Sequence, residues 1–171
     1  MELKQVLGNT YVIDAAAGTL VFYKTGAHEG ILIDTGYAKE DREELIRTFE
    51  LSNMRPKGVI VSHTHYDHAG NAQALKDRYG CPILASLAEA GTAMSVMSYR
   101  GAYPAMTPKE IDDMMVGQCY QVDQVIMPHE RVTLFCGVPF GILPLYGHTP
   151  GHIGVVTPDH VAYLADALMS E

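Results

Sequence analysis

The run Val59-Ile60-Val61-Ser62-His63-Thr64-His65-Tyr66-Asp67-His68-Ala69-Gly70-Asn71 decides how the rest of this chain is read. An apolar, β-branched run ends at Ser62, three histidines and an aspartate follow, and a helix-compatible segment occupies residues 71–79. This is the layout of a metal site. His63 and His65 are two apart on chain leaving a strand, so their side chains project the same way toward one ion. Asp67 and His68 fall in the next turn, where the chain enters a helix, and aim at a neighbouring point. The positive end of that helix favours the Asp67 carboxylate and disfavours a protonated His68, which is what ligation asks of both. The plain alternative is a solvated polar loop that happens to hold three histidines.

At 171 residues the chain is the size of one domain, taken here as 1–171, with enough length for a sizeable core. Twelve Lys and Arg face 20 Asp and Glu, a formal charge of -8. That balance argues against nucleic acid or an anionic membrane as partner, and leaves a small-molecule substrate. Cys81, Cys119 and Cys136 are odd in number and lack C-x-x-C spacing, so neither a disulfide framework nor a thiolate zinc site is expected. They read as small core residues in a reducing cytosol. Glu2 and Lys4 interrupt any leader-like apolar run, and no stretch of 18 apolar residues occurs. A soluble, cytoplasmic protein is expected.

Along the chain, residues 10–13 and 19–23 read as a hairpin broken at Ala17-Gly18. Residues 31–33 form a short buried strand stopping at Asp34-Thr35-Gly36, where Asp34 either caps the next helix or is a buried carboxylate with a task. Residues 39–52 carry an amphipathic helix, 59–61 a strand, 71–79 a helix and 81–85 a strand. A further helix opens at Ser86, with a capping box reaching Glu89. Strand and helix thus alternate from 31 to 97, a β-α-β-α arrangement. Residues 98–124, rich in Met and Tyr, read as a packed connection with one short helix at 108–116, or else as a substrate-facing lid. From 124 onward the texture is all β, with runs at 125–127, 132–136, 140–146, 152–157 and 160–164.

Two polar positions in that β-rich part have no structural job. Gly147-His148-Thr149-Pro150-Gly151-His152 sets a histidine directly after a long apolar strand, and Leu164-Ala165-Asp166 ends another strand in a carboxylate. A catalytic zinc site takes three protein ligands and keeps one open position. His148 can supply the third nitrogen to His63 and His65, while Asp166 can bridge to Asp67 and His68. Two ions would then lie about 3.5–4 Å apart and hold a nucleophilic hydroxide at neutral pH.

His63-x-His65-x-Asp67-His68, His148 within G-H-T-P-G-H, Asp166 at a strand end and the early Ile33-Asp34-Thr35-Gly36 resemble the metallo-β-lactamase-fold hydrolases, especially glyoxalase II-like members. The resemblance covers nearly the whole chain. It implies an α/β fold, an αββα sandwich with a binuclear zinc centre, iron or manganese being alternatives. His63, His65 and His148 would hold the first ion, and Asp67, His68 and Asp166 the second, with Asp166 bridging. Asp34 would orient a ligand histidine from behind, and His152, the second His of the T-P-G-H segment, would support the ligands from behind or be structural rather than ligate. His28, His129 and His160 read as surface residues.

The family pattern contains a later histidine for the second ion and a second βα half, and this chain ends at Glu171. It therefore reads as the first part of a longer domain, with a weaker second site and an uncovered apolar face that invites homodimerisation. The implied reaction is hydrolysis of a small ester, thioester or lactone, with Asp67 orienting the attacking water. A mono-iron persulfide dioxygenase-like oxidoreductase and a catalytically silent metal-binding fragment are the competing readings.

Overall fold

The structure, a computed structural model, describes residues 1–16, 18–103, 105–115 and 118–168, with only the backbone of Met115. Ala17, Pro104, Val116, Gly117 and residues 169–171, which include part of the first turn, the end of the 108–116 helix and the chain end discussed above, lie outside the described residues.

Four strands, β1 (Lys4–Leu7), β2 (Thr10–Ala15), β3 (Gly18–Lys24) and β4 (Glu29–Ile33), run as an antiparallel meander. The sheet continues with parallel strands β5 (Arg55–Ile60), β6 (Ile83–Ser86) and β7 (Gln124–Ile126), in the order β1 to β7. The parallel strands are joined through helices, as parallel pairing requires. These are α1 (Arg42–Leu51) before β5, α2 (Tyr66–Ala69) and α3 (Ala72–Tyr79) before β6, and α4 (Leu87–Ala93), α5 (Val96–Ala102) and α6 (Pro108–Met115) before β7. A second, antiparallel sheet of β8 (Val132–Phe135), β9 (Val138–Pro144), β10 (Ile153–Val156) and β11 (Ala162–Tyr163) follows, and a 3-10 turn at Ala165–Ala167 comes after it.

Alternation along the strands builds two cores. Leu32, Val59 and Ile83 join Leu45, Phe49 and Leu75 of the helices. Their neighbours Ile31, Ile33, Ile60 and Leu84 point the other way, against Phe135, Phe140, Ile142, Ile153 and Val155 of the second sheet. Strands apolar on both faces are thus buried on both, which is why 59–61 reads as an unbroken Val-Ile-Val run. The outer face of the second sheet shows Val132 and Leu134, 63% and 65% exposed. Among the described residues no buried cluster joins a helix to that face. Among the described residues the layers are α, β and β, those of an αββα sandwich without its last layer.

Several expectations are corrected. Asp34 does not cap α1, whose N-cap is Asp41. Strand β1 carries no alternation signal, because all four of its residues are exposed. The 98–124 segment holds a second helix, α5, and packs its own small cluster around Tyr99 and Ile111, with Val96, Tyr103, Met106, Met114 and Cys119 against them. Cys81 is a core residue, whereas Cys119 and Cys136 are only partly buried. His28, His129 and His160 are exposed, as expected. No helix among the described residues is long and apolar enough to cross a membrane.

Candidate metal centre

The parallel strands end on one side of the sheet, where open α/β sheets place their ligands. Asp34 follows β4, Ser62 to Asp67 follow β5, and Glu89 stands at the helix after β6. The loop after β9 brings His148 and the turn after β11 brings Asp166 to the same place.

The ligating atoms fall into two groups, each within 4.8 Å of one another: His63, His65, His148 and Asp166, and Asp67, His68 and Asp166. Asp166 belongs to both. One of its oxygens lies 3.1 Å from His148 Nε2 and 3.9 Å from His63 Nε2, and the other 3.1 Å from His68 Nε2. His65 Nδ1 and His148 Nε2 are 2.8 Å apart, and Asp67 is 3.6 Å from His68 Nε2. The structure therefore brings all six residues together. His152 does not join either group; its ring lies 4.8 Å from that of His63, fully buried, with neither nitrogen hydrogen-bonded.

Asp34 shows what its position demands. It is fully buried at φ 60°, in the left-handed region, which an aspartate tolerates better than most residues. Its Oδ1 accepts the Ser62 N–H at 2.7 Å. Its Oδ2 accepts Ser62 Oγ at 2.6 Å, His68 Nδ1 at 2.8 Å and Tyr163 Oη at 2.8 Å. Since the Ser62 hydroxyl donates to Asp34, it can only accept from His63 Nδ1, 3.1 Å away. One carboxylate thereby fixes the tautomer of a histidine in each group, directly for His68 and through Ser62 for His63. Both present Nε2 to the cluster.

The electrostatics agree. Burial, then the neighbouring imidazoles, pushes the His63 pKa far down, so the ring is neutral. Burial also lowers His65 and His152. For His68, burial is the largest single influence and lowers the pKa. The Asp34 hydrogen bond and the charges of Asp34, Asp67 and Asp166 outweigh it and raise the pKa to about 9. The expected helix-end effect is overturned here. α2 is one turn of four residues, and three carboxylates prevail over its dipole. Without an ion, the proton on His68 is the cation those carboxylates gather around, and ligation must displace it.

The residues fit a divalent metal. His63 Nε2 is buried, stripped of its proton by its tautomer, and has no hydrogen-bond partner. An orphaned acceptor of this kind costs about 1–3 kcal/mol unless something occupies it. Ligands about 2.1 Å from a tetrahedral ion lie roughly 3.4 Å apart, and the separations around Asp166 and His148 run from 2.8 to 3.9 Å.

A family model described as the metallo-beta-lactamase superfamily matches residues 6–170. The chain belongs to that superfamily. Among curated relatives it is 29% identical over 141 residues to the hydroxyacylglutathione hydrolase GloC of Haemophilus influenzae, covering 80% of this chain and 60% of the relative. It is 25% identical over 122 residues to a probable metallo-hydrolase, YybB, of Bacillus subtilis, covering 71% of this chain and 49% of that one. The chain thus spans about half to three fifths of these relatives' length. The FEZ-1 metallo-beta-lactamase of Legionella gormanii superposes with a TM-score of 0.74 at 18% identity, over 95% of this chain and 61% of that one. The BLEG-1 B3 metallo-beta-lactamase does so with a TM-score of 0.67 at 20% identity, over 98% and 73%. These likenesses establish the superfamily's fold.

Sequence reasoning assigned no part to Ser62 or Tyr163, and took Tyr103 only as one of the tyrosines of the 98–124 segment. Tyr103 lines a cavity of about 460 Å³ beside His65 and His148, together with Thr64, Ser98 and Thr149. Its hydroxyl is buried without a partner. Met106 and Met114 of the 98–124 segment pack into its own small cluster, as the packed-connection reading expects, while Tyr103 faces the cavity. Nothing in the spacing of these residues distinguishes them from core positions.

Proposed function

We propose that this chain is a metal-dependent hydrolase of a small ester, thioester or lactone, using two divalent ions of the zinc type. The observation that carries the reading is the buried, unpartnered His63 Nε2 in the first of two donor groups that share Asp166. His63, His65, His148 and Asp166 would hold one ion, and Asp67, His68 and Asp166 the other. When bound, such ions act as Lewis acids on a carbonyl and make water a nucleophile at neutral pH. The chain's own residues do the rest. Asp34 and Ser62 keep the imidazole lone pairs facing inward. Asp67, partly exposed at the rim of the cluster, accepts a proton-bearing edge of the attacking water and aims it. The cavity lined by Thr64, Tyr103 and Thr149 is of a size for a small acyl group. Tyr103 keeps its proton, because burial raises its pKa, and so donates to the carbonyl oxygen.

The test is metal analysis of the purified chain, followed by an ester, thioester and lactone panel with and without added Zn²⁺. The expected result is uptake of about two equivalents and activity abolished by chelator. Iron-dependent oxygen uptake with persulfide, in place of hydrolysis, would favour the oxidoreductase. Metal uptake without turnover of any substrate would leave a silent metal-binding fragment.

The same proposal takes residues 1–171 as one folding unit, acting on a small molecule rather than on nucleic acid or membrane. The free thiols of Cys81 and Cys136 suit a reducing compartment, the cytoplasm. The exposed Val132, Leu134 and Leu143 face is the surface for a homodimer. A monomer by light scattering at 100 μM, on the order of concentrations where such faces associate, would remove that part.

A further inference from the structure

Glu89, in α4, is 2% exposed, and no Lys or Arg among the described residues forms an ion pair with it. Its carboxylate takes four hydrogen bonds from two distant loops. Oε2 accepts the Thr64 N–H at 2.8 Å and Thr64 Oγ1 at 2.7 Å. Oε1 accepts the Gly151 N–H at 2.9 Å and Thr149 Oγ1 at 2.6 Å. Thr64 sits between His63 and His65, and Thr149 and Gly151 sit between His148 and His152. The capping box anticipated from the sequence forms only in part. Ser86 Oγ accepts the Glu89 N–H at 3.4 Å, but the Glu89 side chain turns away to the loops, and Ser86 Oγ itself donates to Gly151 O at 2.7 Å.

We propose that Glu89 is the positioning residue for the three-histidine group, setting the separation of His65 and His148 and through it the affinity for metal. The inference rests on the metal-site reading above and deepens it. A buried carboxylate without a cation is tolerated only when its lone pairs are filled, so its desolvation is offset only with both loops in place. Apart from this carboxylate, the two loops meet through the Ile153 N–H to Ser62 O bond at 3.1 Å, the His65–His148 contact itself and the ring contacts of His63 with His148 and His152. The geometry also makes the demand specific to a carboxylate. Each oxygen receives one backbone N–H, a donor that cannot rotate into an acceptor, whereas a threonine hydroxyl can. An amide offers a single acceptor oxygen, so a glutamine must set its NH₂ against either the Thr64 or the Gly151 N–H. An aspartate is one methylene too short to keep both loops.

The experiment compares the whole chain with Glu89→Gln, Thr149→Val and Thr149→Ser. Zn²⁺ and Co²⁺ affinities are measured by chelator competition, the Co²⁺ site by its visible absorption, and the Thr64 and Gly151 amides by hydrogen exchange in metal-free protein. Glu89→Gln is expected to weaken metal binding about 10–100-fold, the range for partners that orient ligands from behind. It should also alter the Co²⁺ spectrum and speed exchange at one of the two amides. Thr149→Val should weaken binding several-fold and Thr149→Ser should match the wild type. A folded Glu89→Gln with wild-type affinity, spectrum and protection overturns the inference. If that variant does not fold, equal metal affinity in Thr149→Val and Thr149→Ser overturns it. A wild-type chain that takes up no metal sinks this inference and the proposed function together, whereas intact metal binding without hydrolysis sinks only the hydrolase.

Discussion

Replacing Asp34 by Asn should both loosen the metal centre and destabilise the fold, by amounts that follow from its bonds. The carboxylate is fully buried and accepts four hydrogen bonds, three at one oxygen and one at the other. An asparagine oxygen placed on the three-bond side retains Ser62 Oγ, His68 and Tyr163, and turns its NH₂ toward the Ser62 N–H. That unsatisfied buried donor costs about 1–3 kcal/mol, and the three remaining bonds lose their charge assistance, bringing the total to about 3–5 kcal/mol. For a chain of this length each kcal/mol moves the melting temperature about 2–4 °C, so a fall of roughly 10 °C or more is expected. Ligand orientation suffers in both groups, because an uncharged oxygen holds His68 directly, and His63 through Ser62, less firmly than the carboxylate does. Zn²⁺ affinity should therefore drop about 10–100-fold. His68 should also lose much of its elevated pKa in metal-free protein, readable by NMR. The assays are thermal melts with and without chelator, chelator competition for Zn²⁺, and the His68 ring titration. An Asp34→Asn protein melting within about 2 °C of wild type and binding metal as tightly would refute the reasoning.

Further outcomes test other parts of the centre. His148→Ala removes one nitrogen of the first group and leaves His65 Nδ1 without its partner, so metal content should fall by about one equivalent and activity by at least about 100-fold; unchanged stoichiometry would place the first ion elsewhere. Tyr103→Phe deletes a hydroxyl that has no partner, so the melting temperature should hold or rise while kcat/KM falls about tenfold through lost carbonyl donation; unchanged kinetics would remove Tyr103 from the reaction. Chelator-treated protein should lose stability as pH drops below about 6.5, because unfolding frees the buried, neutral His63 to take a proton. Near pH 6.5 His68, whose unfolded form is only half protonated, offsets this; by about pH 5.5 it is protonated in both states and the slope from His63 approaches about 1.4 kcal/mol per pH unit. Melting temperatures flat between pH 6.5 and 4.5 would contradict a neutral buried His63.

The sequence by itself determined the local content of the centre. The apolar run into Ser62 had to end a strand buried on both faces. The spacing of His63, His65, Asp67 and His68 then put four donors at that strand's carboxyl end, since strand and helix periodicity act over a few residues. His148 and Asp166 were legible for a similar reason, a polar group directly after an apolar run. What the tertiary structure alone decided is how these pieces are held. Asp34 does not cap its helix but locks two imidazole tautomers, Glu89 leaves its capping box to tie two loops together, and His68 is charged rather than neutral in the absence of an ion. Tyr103 and Tyr163 reach the centre from elements whose sequences look like ordinary core. Such roles depend on contacts across 34, 60 or 129 positions of chain. Hydrogen bonds and buried charge act through space, and no periodicity in the chain records which distant donor a carboxylate will meet.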